Sequence, residues 1–288
     1  MAPSLVATHG AAMSIPEGHA FYKLTGSGND FVFFDARSDT GAAHELDNAA
    51  AVRQLCAPGT GIGADGVVFL QSDTYQSFRI RYFNRDGSIG ELCGNASLCS
   101  VRLARELGVI GEGTCHFETD AGVMTGHFRD GQPEIDLQAV HDLSPETEFE
   151  RDPGEIRIGF ANTGVPHLVV LVEDTSSVDV VGRGRPLRLD KRLKAGANVN
   201  FVAPLGPDEF VIRTYERGVE AETLACGTGA VASAALLNAW GLAGQVVRLR
   251  TKSARTLTVT LRIKDDGHVW PSLCGEARIV FQGRTAEL

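Results

Sequence analysis

The chain has 288 residues, 43% hydrophobic and 22% charged, which is the balance of an ordinary globular protein with room for two cores. Its net charge of -9 argues against a nucleic-acid partner, which would need clustered positive charge, and no apolar run approaches the roughly 20 residues that span a bilayer. Six cysteines in a chain of this length, with no CxxC pair among them, fit neither a disulfide scaffold nor a zinc cluster. Free thiols in the cytoplasm are the expectation.

In chain order, residues 1–18 lack both a basic and an apolar signal segment and are expected to form a disordered extension. FVFFD (31–35), GVVFL (66–70) and FRIRYFN (78–84) read as strands. Between the first two, HELDNAAAVRQLC (44–56) has apolar residues at helical spacing and stops at Pro58-Gly59. GIGADG (61–66) satisfies the GxGxxG dinucleotide pattern, but the apolar strand VVFL follows where that motif requires a helix. Its glycines are expected to form a tight loop near a cleft instead.

The segment 78–108 is then repeated at 210–241. Each copy runs through a strand F-x-I-R-x-[FY], a polar turn, Cys-Gly-[Asn/Thr] and an Ala- and Leu-rich helix. That helix ends on a glycine, Gly108 or Gly241, 15 residues after the cysteine in both copies. Two further pairs, 117–126 with 249–259 and 24–34 with 162–172, keep nearly the same offset. The expected fold is α+β, with two pseudo-symmetric domains (19–150 and 151–288), each a mostly antiparallel sheet wrapped around a central helix. The last strand, about 276–288, is free to pack back on the first half. The uncharged helix 230–240 should be buried. The helix 96–107 should be buried at its start and partly exposed at Arg102, Arg105 and Glu106.

The repeat singles out Cys93 and Cys226 from the other thiols. Each stands just before a helix, where free N–H groups and the helix dipole favour a thiolate and can bind a carboxylate. The expectation is therefore a pair of thiols with pKa values lowered toward neutrality. A substrate carboxylate held between the two helix N-termini would place its Cα between them. One thiolate would remove the α-proton while the opposite thiol protonates the other face. Cys56, Cys99, Cys115 and Cys274 read as inert core residues.

The ordered motifs GND-F, GIGADG, FNRDGS, CGN, GVPH, NVNF, YERG and ETLACGTGA resemble those of the diaminopimelate epimerase family, from about Tyr22 to Phe281. That resemblance implies epimerisation of LL- to meso-diaminopimelate without cofactor or metal, in lysine and peptidoglycan precursor synthesis. It implies that Cys93 and Cys226 are the acid/base thiols, with His167 and Glu216 behind them. Gly94, Asn95, Gly227 and Thr228 would serve the reacting carboxylate, and Asn29, Asn84, Asn198, Glu216 and Arg217 the rest of the substrate. It also suggests a homodimer involving the strand near Phe281. The chain departs from the commonest pattern at Thr25, Gly66, Ala96, Leu98 and Val165, the last removing a polar contact. The alternatives are a two-thiol racemase of the same fold acting on another amino acid, and a binding protein that kept the fold.

Overall fold

A computed structural model describes residues 18–38, 45–90 and 93–286. The extension expected over 1–18 lies outside the described residues except for Gly18. In the first half, β1 (Ala20–Gly26) and β2 (Asn29–Asp35) form a hairpin, and α1 (Ala49–Cys56) crosses to β3 (Gly66–Gln71). Strand β4 (Phe78–Asn84) returns, and α2 (Gly94–Glu106) crosses to β5 (Cys115–Thr119), β6 (Gly122–Arg129), β7 (Gln132–Asp136) and β8 (His141–Ser144). The second half repeats this order as β9 (Glu155–Asn162), β10 (Pro166–Val172), α3 (Val180–Arg188), β11 (Asn198–Gly206) and β12 (Glu209–Glu216). After the short β13 (Ala221–Thr223) come α4 (Gly227–Ala239), β14 (Val246–Arg250), β15 (Thr256–Ile263), β16 (Val269–Cys274) and β17 (Arg278–Arg284).

Strands joined through a helix (β2–β3, β4–β5, β10–β11 and β12–β14) are parallel, because a crossover brings the chain back to the same end of the sheet. The other ladders are antiparallel. Followed through its hydrogen bonds, the sheet runs β8-β9-β10-β11-β12-β14-β15-β16 and then β7-β6-β5-β4-β3-β2-β1-β17. The β7–β16 ladder is the seam about which the order is symmetric. Each half also lends its last strand to the other: β8 pairs with β9, and β17 with β1.

This wrapping explains the long apolar runs. Phe31 and Phe33 point to a core shared by α2, α4 and both halves, whereas Val32 and Phe34 point to a separate core beneath α1. Leu168 and Val170 likewise face α3, with Val169 and Leu171 facing the shared core. Helix α4 is buried almost throughout, and α2 is buried until Arg102, Arg105 and Glu106 reach the surface. Gly108 and Gly241 follow their helices at φ 67° and 72°, as the repeat required. Helix α1 starts later than its periodicity indicated. The Asn48 side chain accepts from the amides of Ala50 and Ala51, and this cap fixes the first turn at Ala49.

Candidate active site

Cys93 and Cys226 are the N-cap residues of α2 and α4, with φ/ψ of -133°/114° and -134°/111°. An extended N-cap turns the free amides of the first helical turn toward its own side chain. The Gly229 amide accordingly donates to Cys226 Sγ at 3.4 Å, and Thr228 Oγ1 lies 3.5 Å from the sulfur. The Ala96 and Asn95 amides face Cys93 Sγ in a looser arrangement. A water-sized cavity beside Cys93 is lined by Tyr82, Gly90, Ser97 and Thr119.

The two helix N-termini meet. A Cβ placed on Gly227 would lie 3.9 Å from Gly94 Cα and 3.8 Å from Asn95 Oδ1. Leu273, from the seam strand, would touch a Cβ on either glycine, at 3.2 Å from Gly94 and 2.9 Å from Gly227. Glycine at both positions thus lets the helix starts converge. The β1–β2 turn helps join the halves. Gly28 (φ 113°) leaves a gap in which a Cβ would fall 2.8 Å from Ser253 Cβ, and Ser253 donates to the Ser27 carbonyl.

The thiols are not acidic, which corrects the expectation from the helix dipole. Burial first, with the nearby Glu216 carboxylate adding to it, pushes Cys93 up to about 11 and Cys226 up to about 12. Facing amides and hydroxyls act in the opposite direction without overcoming desolvation. Glu216 is itself raised, by burial first and then by Asp65. His167 is fully buried and pushed down to about 3, by burial first and then by Arg217, so the ring is neutral.

The surrounding hydrogen bonds orient the polar side chains. Asn200 Nδ2 donates to His167 Nδ1 (3.1 Å) and to the Leu168 carbonyl, while its Oδ1 accepts from Thr214 (2.9 Å). A neutral ring that accepts at Nδ1 carries its proton on Nε2, and that buried nitrogen has no partner among the described residues. At the start of α2, Asn95 Nδ2 donates to Asn29 Oδ1 (2.6 Å) and Asn29 Nδ2 to Asp65 (3.0 Å). Asn95 Oδ1 is also buried and without a partner among the described residues. These two atoms, buried and unpaired among the described residues, mark where a polar ligand would complete the hydrogen bonding. Asn198 accepts from the Arg217 amide, and the Arg217 guanidinium rests on the Ala195 carbonyl.

Among the residues singled out in the sequence, Asn95 is thus bonded to Asn29, Asn198 to Arg217, and Glu216 acts on both thiols, while Asn84 is held by Tyr82 and Ser88. Sequence reasoning missed Asp65, Tyr82, Asn200 and Thr214. Asp65 lies inside the GIGADG loop and Asn200 inside NVNF. Tyr82 and Thr214 occupy the second variable position of the repeated F-x-I-R-x-[FY] strand, where a difference between copies carried the signal.

The fold is shared with a PhzF-family phenazine biosynthesis protein of Bacillus anthracis (TM-score 0.72, 16% identity, 94% of this chain and 100% of that one). It is also shared with a hydroxyproline epimerase of Agrobacterium vitis (TM-score 0.67, 19% identity, 96% and 94%). These likenesses define the class by fold alone, a sheet protein built of two similar halves. The family model for diaminopimelate epimerase matches residues 21–139 and 159–280, so the chain belongs to the diaminopimelate epimerase family. Diaminopimelate epimerases of Gemmatimonas aurantiaca (43% identical, 93% of this chain and 100% of the relative) and Aquifex aeolicus (41%, 93% and 98%) are among its relatives.

Proposed function

We propose that this chain epimerises LL-diaminopimelate to meso-diaminopimelate through Cys93 and Cys226, without a cofactor, in lysine and peptidoglycan precursor synthesis. The observation that carries this reading is the meeting of two cysteine-capped helix N-termini with matching backbone geometry. A carboxylate seated on the amides of Gly94, Asn95, Gly227 and Thr228 would present Cα to a sulfur on either face. One thiolate takes the α-hydrogen and becomes a thiol. The opposite thiol delivers its proton to the carbanion and becomes the thiolate, so charge and protons balance.

Burial holds both thiols neutral, and the ammonium of a bound substrate would favour the thiolate. Helix amides stabilise the charge that develops on the carboxylate during proton removal. His167 and Glu216 would tune the thiols. Asn29, Asn84, Asn198 and Arg217 would hold the distal amino-acid centre, Arg217 leaving its backbone contact to grip the second carboxylate.

Incubation with LL-diaminopimelate in D₂O should give α-deuterated meso product with no added cofactor. Absence of exchange, with exchange of a different amino acid instead, would replace this substrate. The reading further includes the cytoplasm, where such thiols stay reduced, and no nucleic-acid partner. It also includes a homodimer through β17, which pairs with β1 on one side and exposes Val280 and Phe281. Sedimentation of a Phe281→Glu variant as a monomer alongside a dimeric parent would support that interface.

A further inference from the structure

The amide of Asn200, on β11, is bonded to both flanking strands and pressed against α4. His167, Asn200 and Thr214 are all almost wholly buried, so these bonds form away from water. On one side Nδ2 faces His167 Nδ1 at 3.1 Å and the Leu168 carbonyl at 3.0 Å; on the other, Oδ1 accepts from Thr214 at 2.9 Å. A Cβ on Gly229 would lie 2.3 Å from Asn200 Oδ1 and 3.2 Å from Cys226 Sγ, so only glycine leaves room for the amide beneath that helix start. The partners decide which way the amide faces. A carbonyl only accepts, so the atom beside Leu168 O is the NH₂ group, and the same NH₂ faces the imidazole. An amide NH₂ has nothing to accept with. A proton on His167 Nδ1 would therefore set two donors against each other in a buried place. The imidazolium and the Nδ1–H tautomer both carry that proton, and only the neutral Nε2–H ring does not.

We propose that Asn200 is a positioning residue that locks His167 as a neutral hydrogen-bond donor through Nε2, so that His167 serves the reaction by donating and not as a base. Thr214 completes the lock, because its hydroxyl holds Oδ1 and keeps the amide from turning over. The burial that pushes His167 down acts in the same direction. The donor role in turnover rests on the reading of His167 as a residue that tunes the thiols; the lock itself rests on the hydrogen bonds alone.

The test uses the full chain with ¹⁵N-labelled histidine, the His167 signals being those lost in His167→Gln. Nitrogen NMR of the parent near neutral pH should show Nδ1 bare and Nε2 protonated. Asn200→Asp, whose carboxylate only accepts, should bring a proton onto Nδ1. A parent ring protonated at Nδ1, or an Nδ1 left bare in a folded Asn200→Asp, overturns the proposal; the parent spectrum decides alone if that variant does not fold. Turnover of LL-diaminopimelate then separates donor from base. The amide of His167→Gln can accept from Asn200 and still donate, but it cannot take up a proton, whereas His167→Leu does neither. A donor role predicts kcat/KM about tenfold higher in His167→Gln than in His167→Leu, as expected for one hydrogen bond to a charged group. Equal loss in the two overturns the donor role. A parent with the expected tautomer that exchanges no deuterium into diaminopimelate would uphold the lock and overturn the functional reading instead.

Discussion

The two halves place their thiols identically and surround them differently. Ladder registers allow the comparison residue by residue. Phe31 stands opposite Gly66 as His167 stands opposite Asn198, and Val68 stands opposite Tyr82 as Asn200 stands opposite Thr214. Beneath Cys93, the three corresponding positions hold a phenyl, an isopropyl and a phenol. Beneath Cys226 they hold an imidazole, an amide and a hydroxyl joined by hydrogen bonds. A reaction that runs both ways through two thiols needs them geometrically equivalent. It does not need them chemically identical, because the two substrate stereoisomers present different groups to each face.

The largest effect should come from removing either thiol. Cys93→Ala and Cys226→Ala should each lower epimerisation by roughly a thousandfold or more, within the range of lost general acid–base catalysis. Deuterium exchange would sharpen the comparison, since each variant should retain residual exchange, if any, on the opposite stereoisomer. Unchanged epimerisation in either variant would break the two-base reading.

Resting ionisation separates the halves next. With burial pushing the thiols up to about 11 and about 12, both should label slowly near neutral pH, and Cys226 more slowly than Cys93. Rapid labelling of Cys226 near pH 7 would show that the helix dipole outweighs desolvation after all.

His167 makes the second half acid-sensitive. Its folded pKa is pushed down to about 3, whereas the unfolded ring titrates near 6.5. As pH falls through about 6.5 toward 3, the unfolded chain binds a proton that the native state refuses, so stability is lost at roughly 1.4 kcal/mol per pH unit. Urea unfolding at several pH values should show this slope, reduced by about one proton in His167→Gln. Phe31, its counterpart, contributes no such slope.

Gly66 tests the slot around Tyr82 in the first half. Asn fits at the equivalent Asn198, but a Cβ at Gly66 would lie 2.5 Å from the Phe83 carbonyl as well as against Tyr82. Gly66→Asn should cost about 2 kcal/mol in unfolding free energy, partly restored by adding Tyr82→Thr. The smallest effect belongs where the halves are alike. Asn48→Ala and Asp179→Ala remove the caps of the two crossover helices, at about 1 kcal/mol each, with KM unchanged.

Much of this was legible before any coordinates, and for physical reasons. Repetition of a strand, a cysteine and a glycine-terminated helix fixed the two-half architecture, because local grammar repeated at a constant offset builds the same unit twice. The charge-free 230–240 segment had to be buried. The strand after GIGADG ruled out a dinucleotide helix. What tertiary structure alone decided was everything set by distance across the seam. It showed that the two helix starts meet over Leu273, that the last strands are exchanged between halves, and that burial makes both thiols neutral at rest. Desolvation depends on atoms contributed from all over the chain, so no motif around Cys93 or Cys226 could have given its sign. The slot around Tyr82 was invisible for the same reason: it rests on the absent side chains of Gly66 and Gly90, which only the fold brings to either side of one ring.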